Sequence, residues 1–420
     1  MKRRSSRQET AVKKKEMKIK VELLSNILNK VNAAVGGEDQ LRIRFFPVSG
    51  KDAEGKDVTS NWVEFLAYSK GLQILQMMSY TGKAVANKET VLVVKASTLS
   101  GIVKSYMALG IEEATIEIKD NLLVVKNKQG QVTIPTAATM PVIDMAEAQK
   151  GAAWAVVVNT KEIQSSVRNV AATIGAGQEV TNGIYFSATD NGYVLLTTNT
   201  YSGSQSSVKG EFKPMTEKPV SKDFFVSGGL QKALAVLKGE ALNICLTAKY
   251  LLIKDGEGTF AVIALNEGAF PKDSLLKMMA PASQPTPYPE TFSVKVKKSV
   301  LEAALTLAEV TDTDKIKGIQ LRGVQMGEKA DLVTGSENNP QTVPAEVTIS
   351  ASDVSTAKLF LGTSLFRTVI SNVGDDVKLR FTSSYVLVYD GNSEAPASWA
   401  FKRTAAEKKT EKTETDAKEE

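Results

Sequence analysis

Residues 110–126 read GIEEATIEIKDNLLVVK, and this stretch sets the repeat pattern of the whole chain. The same order of features returns at 239–254, GEALNICLTAKYLLIK, and at 374–389, GDDVKLRFTSSYVLVY. Each copy holds a glycine, an acidic residue, an alternating apolar strand, a short turn and a second apolar strand, which is typical of a helix end followed by a β-hairpin. The three glycines lie 129 and 135 residues apart, so the sequence predicts three repeats.

Amphipathic helices are predicted twice in each repeat, because apolar residues recur at intervals of three and four, as in Val21, Leu24, Leu28 and Val31. Strand-like segments such as GIYFSATDNGYVLLTTN, 183–199, lie between these helices. The predicted fold class is therefore α+β, with three tandem domains that each pack two helices on antiparallel sheets. The six predicted helices are 21–35, 96–109, 159–174, 227–238, 296–309 and 362–374.

The predicted domains cover 17–150, 151–282 and 283–403. The stretch APASQPTPYPE, 280–290, carries four prolines and reads as an extended linker before the third domain. Both ends of the chain are dense in charge and poor in apolar residues, as disordered segments are. Residues 1–16 hold seven basic and two acidic side chains, and 404–420 hold four basic and six acidic ones. For 1–16 the alternatives are a nucleic-acid-binding arm, a solvated leader and an upstream start before Met17.

The sequence has no histidine and a single cysteine, Cys245. Without histidine, Ser-His-Asp triads, Cys-His dyads and histidine-ligated metals are excluded. One cysteine forms neither an internal disulfide nor a thiolate zinc site, which is typical of a protein in the reducing cytoplasm. Cys245 alternates with apolar residues along 242–246, so we expect it to be a buried strand residue and not a nucleophile.

Other signatures of enzymes and of membrane proteins are also missing from the sequence. It contains no Walker loop, and the VSGG at 226–229 is more typical of a turn before a helix than of a phosphate site. No apolar run approaches the roughly eighteen residues that span a membrane. We therefore expect a cytoplasmic protein that is not an enzyme and that has no cofactor, no metal site and no membrane contact.

The pattern of three domains resembles the bacterial DNA polymerase III β subunit, the sliding clamp family. Four stretches carry the resemblance: MKIKVELLSNIL (17–28), QVTIPTAATMPVIDM (131–145), NEGAFPKDSLLKMM (266–279) and GSENNP (335–340). The resemblance implies that the chain forms half of a closed ring, as a head-to-tail homodimer that encircles duplex DNA. Such a ring is a processivity factor that tethers the replicative polymerase and other DNA-processing proteins. The alternative is a noncatalytic β-rich repeat scaffold or surface protein that does not encircle DNA.

Positive charge concentrates on the predicted helices. They hold nine basic and four acidic residues, while residues 17–403 as a whole carry a net charge of only +2. Several of these basic residues lie opposite the apolar stripes, where the alternative role is solvation of the helix surface. A ring that slides needs only weak, sequence-independent contacts with phosphates. The predicted DNA-binding residues are Lys30, Lys104, Lys161, Arg168, Lys232, Lys238, Lys297, Lys298 and Arg367.

The resemblance also implies a pocket between domains two and three that takes short peptides of the DNA polymerase and the clamp loader. We predict that Thr198, Tyr201, Trp399 and Phe401 line it, because they occupy the matching strands although most of the family's pocket residues differ here. Trp399 and Phe401 lie two residues apart and share one face of a strand. Ordinary sheet packing is the alternative for both rings.

A ring of two chains also requires an interface between domain one of one chain and domain three of the other. By resemblance, Val132 and Ile134 would meet Leu307 and Val310 of the partner chain. The alternative is that all four residues belong to the internal core.

Overall fold

The computed structural model describes residues 16–51, 54–80, 85, 88–137, 139–152, 154–175, 180–214, 223–281, 290–311, 318–322, 331–334, 341–344, 346–349 and 361–401. The predicted disordered ends, most of the predicted linker and the GSENNP stretch therefore lie outside the described residues. Glu16, which we assigned to the leader, instead belongs to the first strand and pairs with Glu117.

Helices occupy a small part of the described chain. All six predicted helices are present, with boundaries shifted by up to four residues, and two short helices, α3 and α6, were not predicted. A 3-10 turn at Asn32–Ala34 follows the first helix. The helices are α1 (Val21–Val31), α2 (Ala96–Ala108), α3 (Met145–Gln149), α4 (Thr160–Ala171), α5 (Gly229–Val236), α6 (Lys272–Met278), α7 (Lys298–Thr311) and α8 (Thr363–Ile370).

Strands make up most of the remaining described chain, so the α+β prediction is confirmed. The strands are β1 (Glu16–Lys20), β2 (Gln40–Lys51), β3 (Asp57–Ser69), β4 (Leu72–Tyr80), β5 (Thr90–Lys95), β6 (Glu113–Lys119), β7 (Leu122–Lys126), β8 (Gln131–Ile134), β9 (Thr136–Ala137), β10 (Trp154–Asn159), β11 (Gly183–Thr189), β12 (Gly192–Thr198), β13 (Ser202–Pro214), β14 (Phe224–Ser227), β15 (Ala241–Leu246), β16 (Tyr250–Lys254), β17 (Thr259–Ala264), β18 (Glu290–Lys297), β19 (Gly318–Arg322), β20 (Asp331–Thr334), β21 (Gln341–Pro344), β22 (Glu346–Ile349), β23 (Leu361–Gly362), β24 (Asp376–Thr382), β25 (Tyr385–Asp390) and β26 (Ser398–Phe401).

The chain divides into two compact units, and the first comprises Met1–Ala155 and Lys232–Ala264. It holds one four-stranded sheet in the order β1-β6-β7-β8. A second antiparallel sheet runs β9-β5-β2-β3-β4-β17-β16-β15, in which β4 pairs with β17. This sheet therefore joins strands of predicted domain one to strands of predicted domain two. The boundaries 17–150, 151–282 and 283–403 stay a prediction.

The core of the first unit lies under α1 and α2. The predicted stripe of α1 is buried, with Leu24, Leu28 and Val31 each at most 1% exposed, and α1 contacts α2, β3 and β4. Leu99 and Val103 of α2 keep the same helical spacing and are buried. Met107, four residues after Val103, is instead 47% exposed at the end of α2. Helical spacing therefore identifies the buried face of α1 and of α2, except in the last turn of α2.

The second unit comprises Val156–Gln231 and Leu265–Glu420. Its main antiparallel sheet runs β14-β11-β12-β13-β26-β25-β24-β18-β22. The short sheet β21-β20-β19-β23 completes the unit. Leu301 and Leu305 of α7 and Phe366 and Val369 of α8 are buried against β18, β24 and β25. Val300, predicted to lie on the apolar stripe, is 38% exposed.

The glycine-acidic signature of the repeats has a structural role at helix starts. The first backbone N–H of α1, at Val21, donates to the carbonyl oxygen of Glu112 at 2.8 Å. The first N–H of α7, at Lys298, donates to the carbonyl oxygen of Asp375 at 2.7 Å, and the next one donates to the Asp375 carboxylate at 3.2 Å. Helix starts leave N–H groups without intrahelical partners, and in the first and third repeats the acidic residue that follows the glycine supplies acceptors for the first helix of the same repeat.

Candidate nucleic-acid and partner-binding sites

In the first unit, three predicted DNA contacts lie on exposed surface. Lys104 is exposed on α2 next to the buried Val103, and Lys232 is exposed on α5 next to the buried Ala233. Lys238 follows α5, where its backbone N–H donates to Asp255 at 3.1 Å while its side chain is exposed. None of these three ammonium groups forms an ion pair within the described residues. Their charge is therefore free to act on a ligand in solvent.

In the second unit, α4 presents two exposed basic side chains, Lys161 and Arg168. The opposite face of α4 is buried through Ile163, Val167 and Val170 and packs on β12 and β13. The helix begins at a defined place because the Asn159 side chain accepts the N–H of Glu162 at 3.1 Å, as an N-cap does. Neither Lys161 nor Arg168 has an acidic partner in the part of the chain that is described.

The prediction that Lys30 lies on the outward face of α1 is wrong. Its side chain is buried in the first unit, and its Nζ lies 2.7 Å from Glu257 Oε2 and 3.0 Å from Thr259 Oγ1. The Asp255 carboxylate lies 3.9 Å away. Lys30 lies on a different face of α1 from the buried apolar stripe, but the turn before β17 covers that face. A phosphate outside the protein does not reach this ammonium group.

In the second unit, three of the predicted DNA-binding side chains bond to other groups of the protein. Arg367 forms a two-bond ion pair with Glu309, at 2.9 and 3.1 Å, and also donates to Thr306 at 2.8 Å. The Nζ of Lys298 donates to the carbonyl oxygens of Ser371 and Val373, at 3.0 and 2.9 Å.

Lys297 is half-exposed and bonds to the Asp376 carboxylate, with Asp375 at 3.8 Å. The bond to Asp376 raises the pKa of Lys297, so the side chain stays charged and paired.

The predicted partner site begins at the turn between β12 and β13. Thr198 is buried, and its hydroxyl donates to the carbonyl oxygen of Ser202 at 2.8 Å. Asn199 Oδ1 accepts the backbone N–H groups of Tyr201 and Ser202, at 3.0 and 2.7 Å, and Thr200 has a φ of +75°. This turn holds the Tyr201 side chain 66% exposed. A large aromatic ring is thus presented to solvent on a fixed backbone.

The structure brings Trp399 and Phe401 beside this turn, as predicted. Strand β26 pairs with β13, and the Phe401 N–H donates to the carbonyl oxygen of Tyr201 at 2.9 Å. Phe401 is 36% exposed and lies 4.8 Å, between ring centroids, from Tyr385. The Trp399 and Phe401 rings meet edge to face at 5.3 Å. The exposed pair Tyr201 and Phe401 is named here the aromatic shelf.

Trp399 itself does not form an open wall. It is 2% exposed and packs in a cluster with Leu275, Met278 and Met279 of the α6 region. Its indole nitrogen has no hydrogen-bond partner among the described atoms, and a Cβ added at Gly203 would lie 2.4 Å from that nitrogen. Trp399 therefore packs in the interior of the second unit, which was the alternative to a pocket wall.

The described residues contain no grouping of three or more acidic or cysteine side chains suited to a metal ion. Cys245 lies in β15 but is half-buried, not fully buried as predicted, and packs beside the cluster of Ala148, Leu252 and Val262. Burial raises the pKa of its thiol and so disfavours the reactive thiolate. Among the described helices, none has the length and apolarity needed to cross a lipid bilayer.

Crystal structures of bacterial sliding clamps share this architecture over nearly the whole chain. The DNA polymerase III subunit beta of Pseudomonas aeruginosa is 14% identical, with a TM-score of 0.73, and the match covers 92% of this chain and 99% of that one. The Bacillus subtilis DNA polymerase sliding clamp is 13% identical, with a TM-score of 0.70 and coverages of 93% and 99%. The Thermotoga maritima beta subunit is 12% identical, with a TM-score of 0.70 and coverages of 92% and 99%.

The chain has the fold of a bacterial DNA polymerase sliding clamp. No protein-family model matches the sequence, and no curated protein sequence matches it. These three structures are 12 to 14% identical to the chain, so the likeness is one of fold.

On this clamp fold, three of the four residues predicted at a subunit interface are exposed. Val132 on the edge strand β8 is 39% exposed, and Leu307 and Val310 on α7 are 47% and 80% exposed. Ile134 is 1% exposed and pairs within its sheet opposite Leu123, so it belongs to the core of the first unit. Val132 and Ile134 lie two residues apart and therefore share one face of β8, of which only the part around Ile134 is covered.

Sequence reasoning missed the residues that enclose Trp399. Leu275, Met278 and Met279 recur at intervals of three and one, which is a short helical pattern directly after the Phe270-Pro271 pair. That pattern could have predicted α6. Its contact with Trp399, more than a hundred residues later, has no local signal in the sequence.

Proposed function

We propose that the protein is a DNA sliding clamp, a noncatalytic processivity factor that encircles duplex DNA and tethers a polymerase. The observation that carries the proposal is the clamp fold over 92% of the chain, on which exposed lysine and arginine side chains lie on helices α2, α4 and α5. A ring holds DNA by its closed shape, so loose, sequence-independent attraction to phosphates is sufficient and permits sliding. We expect it to act in the cytoplasm.

The proposal that the protein encircles DNA is tested by comparing its retention on circular DNA and on the same DNA after it is cut. We expect the protein, once loaded onto nicked circular DNA by a clamp loader, to remain on the circle through gel filtration and to leave after a single double-strand cut. Two circles of unrelated sequence should retain it equally. The uncut circle is the control for losses during filtration. A protein that is never retained, or that stays bound after the cut, would support the alternative scaffold that does not encircle DNA.

We propose further that two chains close the ring head to tail, each contributing three domains. Val132 lies on an edge strand, whose free backbone groups are suited to pairing with another chain. Leu307 and Val310 give α7 an apolar surface that is unusual for an exposed helix face. An interface that combines these groups buries apolar area on both chains, which is the main favourable term in stable association.

Replacing Leu307 and Val310 together by Asp is expected to convert the dimer into a monomer at micromolar concentration. The wild-type mass by sedimentation should be about 90 kDa, twice the 45.2 kDa of one chain. Two charges buried at an interface without partners oppose association strongly. Val300→Asp, on the same helix and also exposed, is the matched control and should leave the dimer intact. A wild-type monomer, or an unaffected double variant, would contradict the proposed interface.

Partner recruitment is proposed at the aromatic shelf. Tyr201 and Phe401 are both exposed and lie on adjacent backbone, because the Phe401 N–H donates to the Tyr201 carbonyl oxygen, so an extended peptide of a polymerase or clamp loader can cover this surface with an apolar side chain. The buried Trp399 packs against the Phe401 ring. Aromatic anchors of this kind commonly dominate the affinity of small interfaces.

A further inference from the structure

The nine basic residues that we predicted as DNA contacts fall into two groups according to the partners of their charged atoms. Lys30, Lys297, Lys298 and Arg367 each bond to an acidic side chain or to backbone carbonyls. Within the described residues, the side chains of the other five form no ion pair, and all five are exposed. Those five are Lys104, Lys161, Arg168, Lys232 and Lys238.

The pairing on α7 and α8 is structural. The planar guanidinium of Arg367 fits the Glu309 carboxylate with two parallel bonds, which is the strongest common geometry for such a pair. This pair ties α8 to the end of α7. Moving Arg367 to a phosphate would break both bonds to the Glu309 carboxylate, so part of any gain from the phosphate is lost.

Lys298 stabilises the end of α8. Its ammonium group bonds to the carbonyl oxygens of Ser371 and Val373, just after the last helical residue, Ile370. These carbonyls follow the end of α8, where the helix dipole is negative, so the lysine has a defined capping role there. Lys297 instead pairs with the exposed carboxylates of Asp375 and Asp376.

The charge balance of the helices agrees with this division. Helices α7 and α8 contain two basic residues, Lys298 and Arg367, and two acidic ones, Glu302 and Glu309. Helices α2, α4 and α5 contain four basic residues and one acidic residue, Glu162. The Glu162 carboxylate accepts the backbone N–H of Lys209 at 2.8 Å, so one of its oxygens already bonds to a donor of the protein.

We infer that phosphate contacts are made by α2, α4, α5 and Lys238, whereas the basic residues around α7 and α8 hold the third repeat together and do not bind DNA. The inference rests on the proposed clamp function and narrows it to five side chains per protomer. Each neutralised phosphate contributes about 0.9 to the slope of log affinity against log salt, so the two groups differ in a measurable quantity.

The test compares two sets of neutral substitutions in the full-length protein. The first set is Lys104→Gln, Lys161→Gln, Arg168→Gln and Lys232→Gln, and the second is Lys297→Gln and Arg367→Gln. Binding to a short fluorescent duplex is measured by anisotropy over a range of NaCl concentrations. We expect the first set to lower the salt slope by up to about 3.6, for four contacts at about 0.9 each, and the affinity at low salt about tenfold or more. The second set should leave the slope unchanged and lower the melting temperature.

Two further variants keep the result decisive if the second set folds poorly. Lys297→Gln alone removes an exposed side chain and should leave both the fold and the salt slope unchanged. Glu309→Gln releases Arg367 and should raise DNA affinity. A slope lowered by about one in Lys297→Gln, or by about two in the second set, would overturn the inference. Failure of the wild type to stay on circular DNA would instead reject the clamp function itself, so the two failures are distinguishable.

Discussion

Trp399→Ala is expected to lower the free energy of unfolding of the second unit by about 3–5 kcal/mol, the usual cost of deleting a large buried ring. The indole is 2% exposed and packs against Leu275, Met278 and Leu387, so its removal leaves a cavity that the sheet and α6 cannot fill by small shifts. Urea denaturation followed by circular dichroism measures the change. A loss below about 1 kcal/mol would contradict the assignment of Trp399 to the core.

Two control variants distinguish the effect of the buried Trp399 ring on stability from the effects of its indole N–H and of the exposed aromatic shelf. Trp399→Phe keeps an aromatic ring and removes the indole N–H, which lacks a partner among the described atoms, so it should cost much less than Trp399→Ala. Tyr201→Ala with Phe401→Ala removes the aromatic shelf, where both rings are exposed, and should change stability by only about 1 kcal/mol. This double variant should nevertheless weaken binding of a polymerase-derived peptide about tenfold.

The repeat architecture was predictable because its signals are local. A glycine that ends a helix, an acidic residue and a hairpin of alternating apolar residues recur at 110, 239 and 374, and each element needs only its own neighbours in sequence to be recognised. In the third repeat the acidic side chain has a physical role, because the Asp375 carboxylate accepts the Ser299 N–H near the start of α7. Glu112 accepts the Val21 N–H through its backbone carbonyl, which any residue could supply.

Strand β2 was not predicted, and its sequence explains the omission. Gln40–Lys51 contains Pro47 and Gly50, which weaken a strand prediction. The pairing of Arg42 and Arg44 with Glu64 on β3 compensates for the two charges that this strand brings close to the core. That compensation depends on a partner twenty residues away, so the strand is stable in the fold although its own composition does not identify it.

The candidate sites were predictable as surfaces but not as individual contacts. Helical periodicity placed Lys104 and Lys232 opposite the apolar stripes, and both are exposed. It failed for Lys30 and gave no information on the partners of Arg367, because those depend on distant segments that fold over the same surface. The sequence left open whether Trp399 lines a pocket or packs in the sheet, because α6, which covers it, lies far away along the chain.

Lys30→Met is expected to lower the free energy of unfolding of the first unit by about 3–5 kcal/mol, the range found when one member of a buried ion pair is removed. The Asp255 side chain is fully buried 3.9 Å from the ammonium group and would lose its nearest cation. Thr259 would lose a donor as well, while its own hydroxyl bonds to Gln76 at 2.6 Å. The substitution therefore disturbs the place where β17 pairs with β4.

Lys104→Met is the matched control, because it removes the same charge and a side chain of the same length from an exposed helix position. It should change stability by no more than about 0.5 kcal/mol, yet lower the salt slope of DNA binding by about one. Lys30→Met should show the reverse, a large loss of stability measured by urea denaturation and an unchanged slope under folding conditions. Equal losses of stability in the two variants would contradict the buried hydrogen-bond network of Lys30. A lowered salt slope in Lys30→Met would show that Lys30 contacts DNA after all.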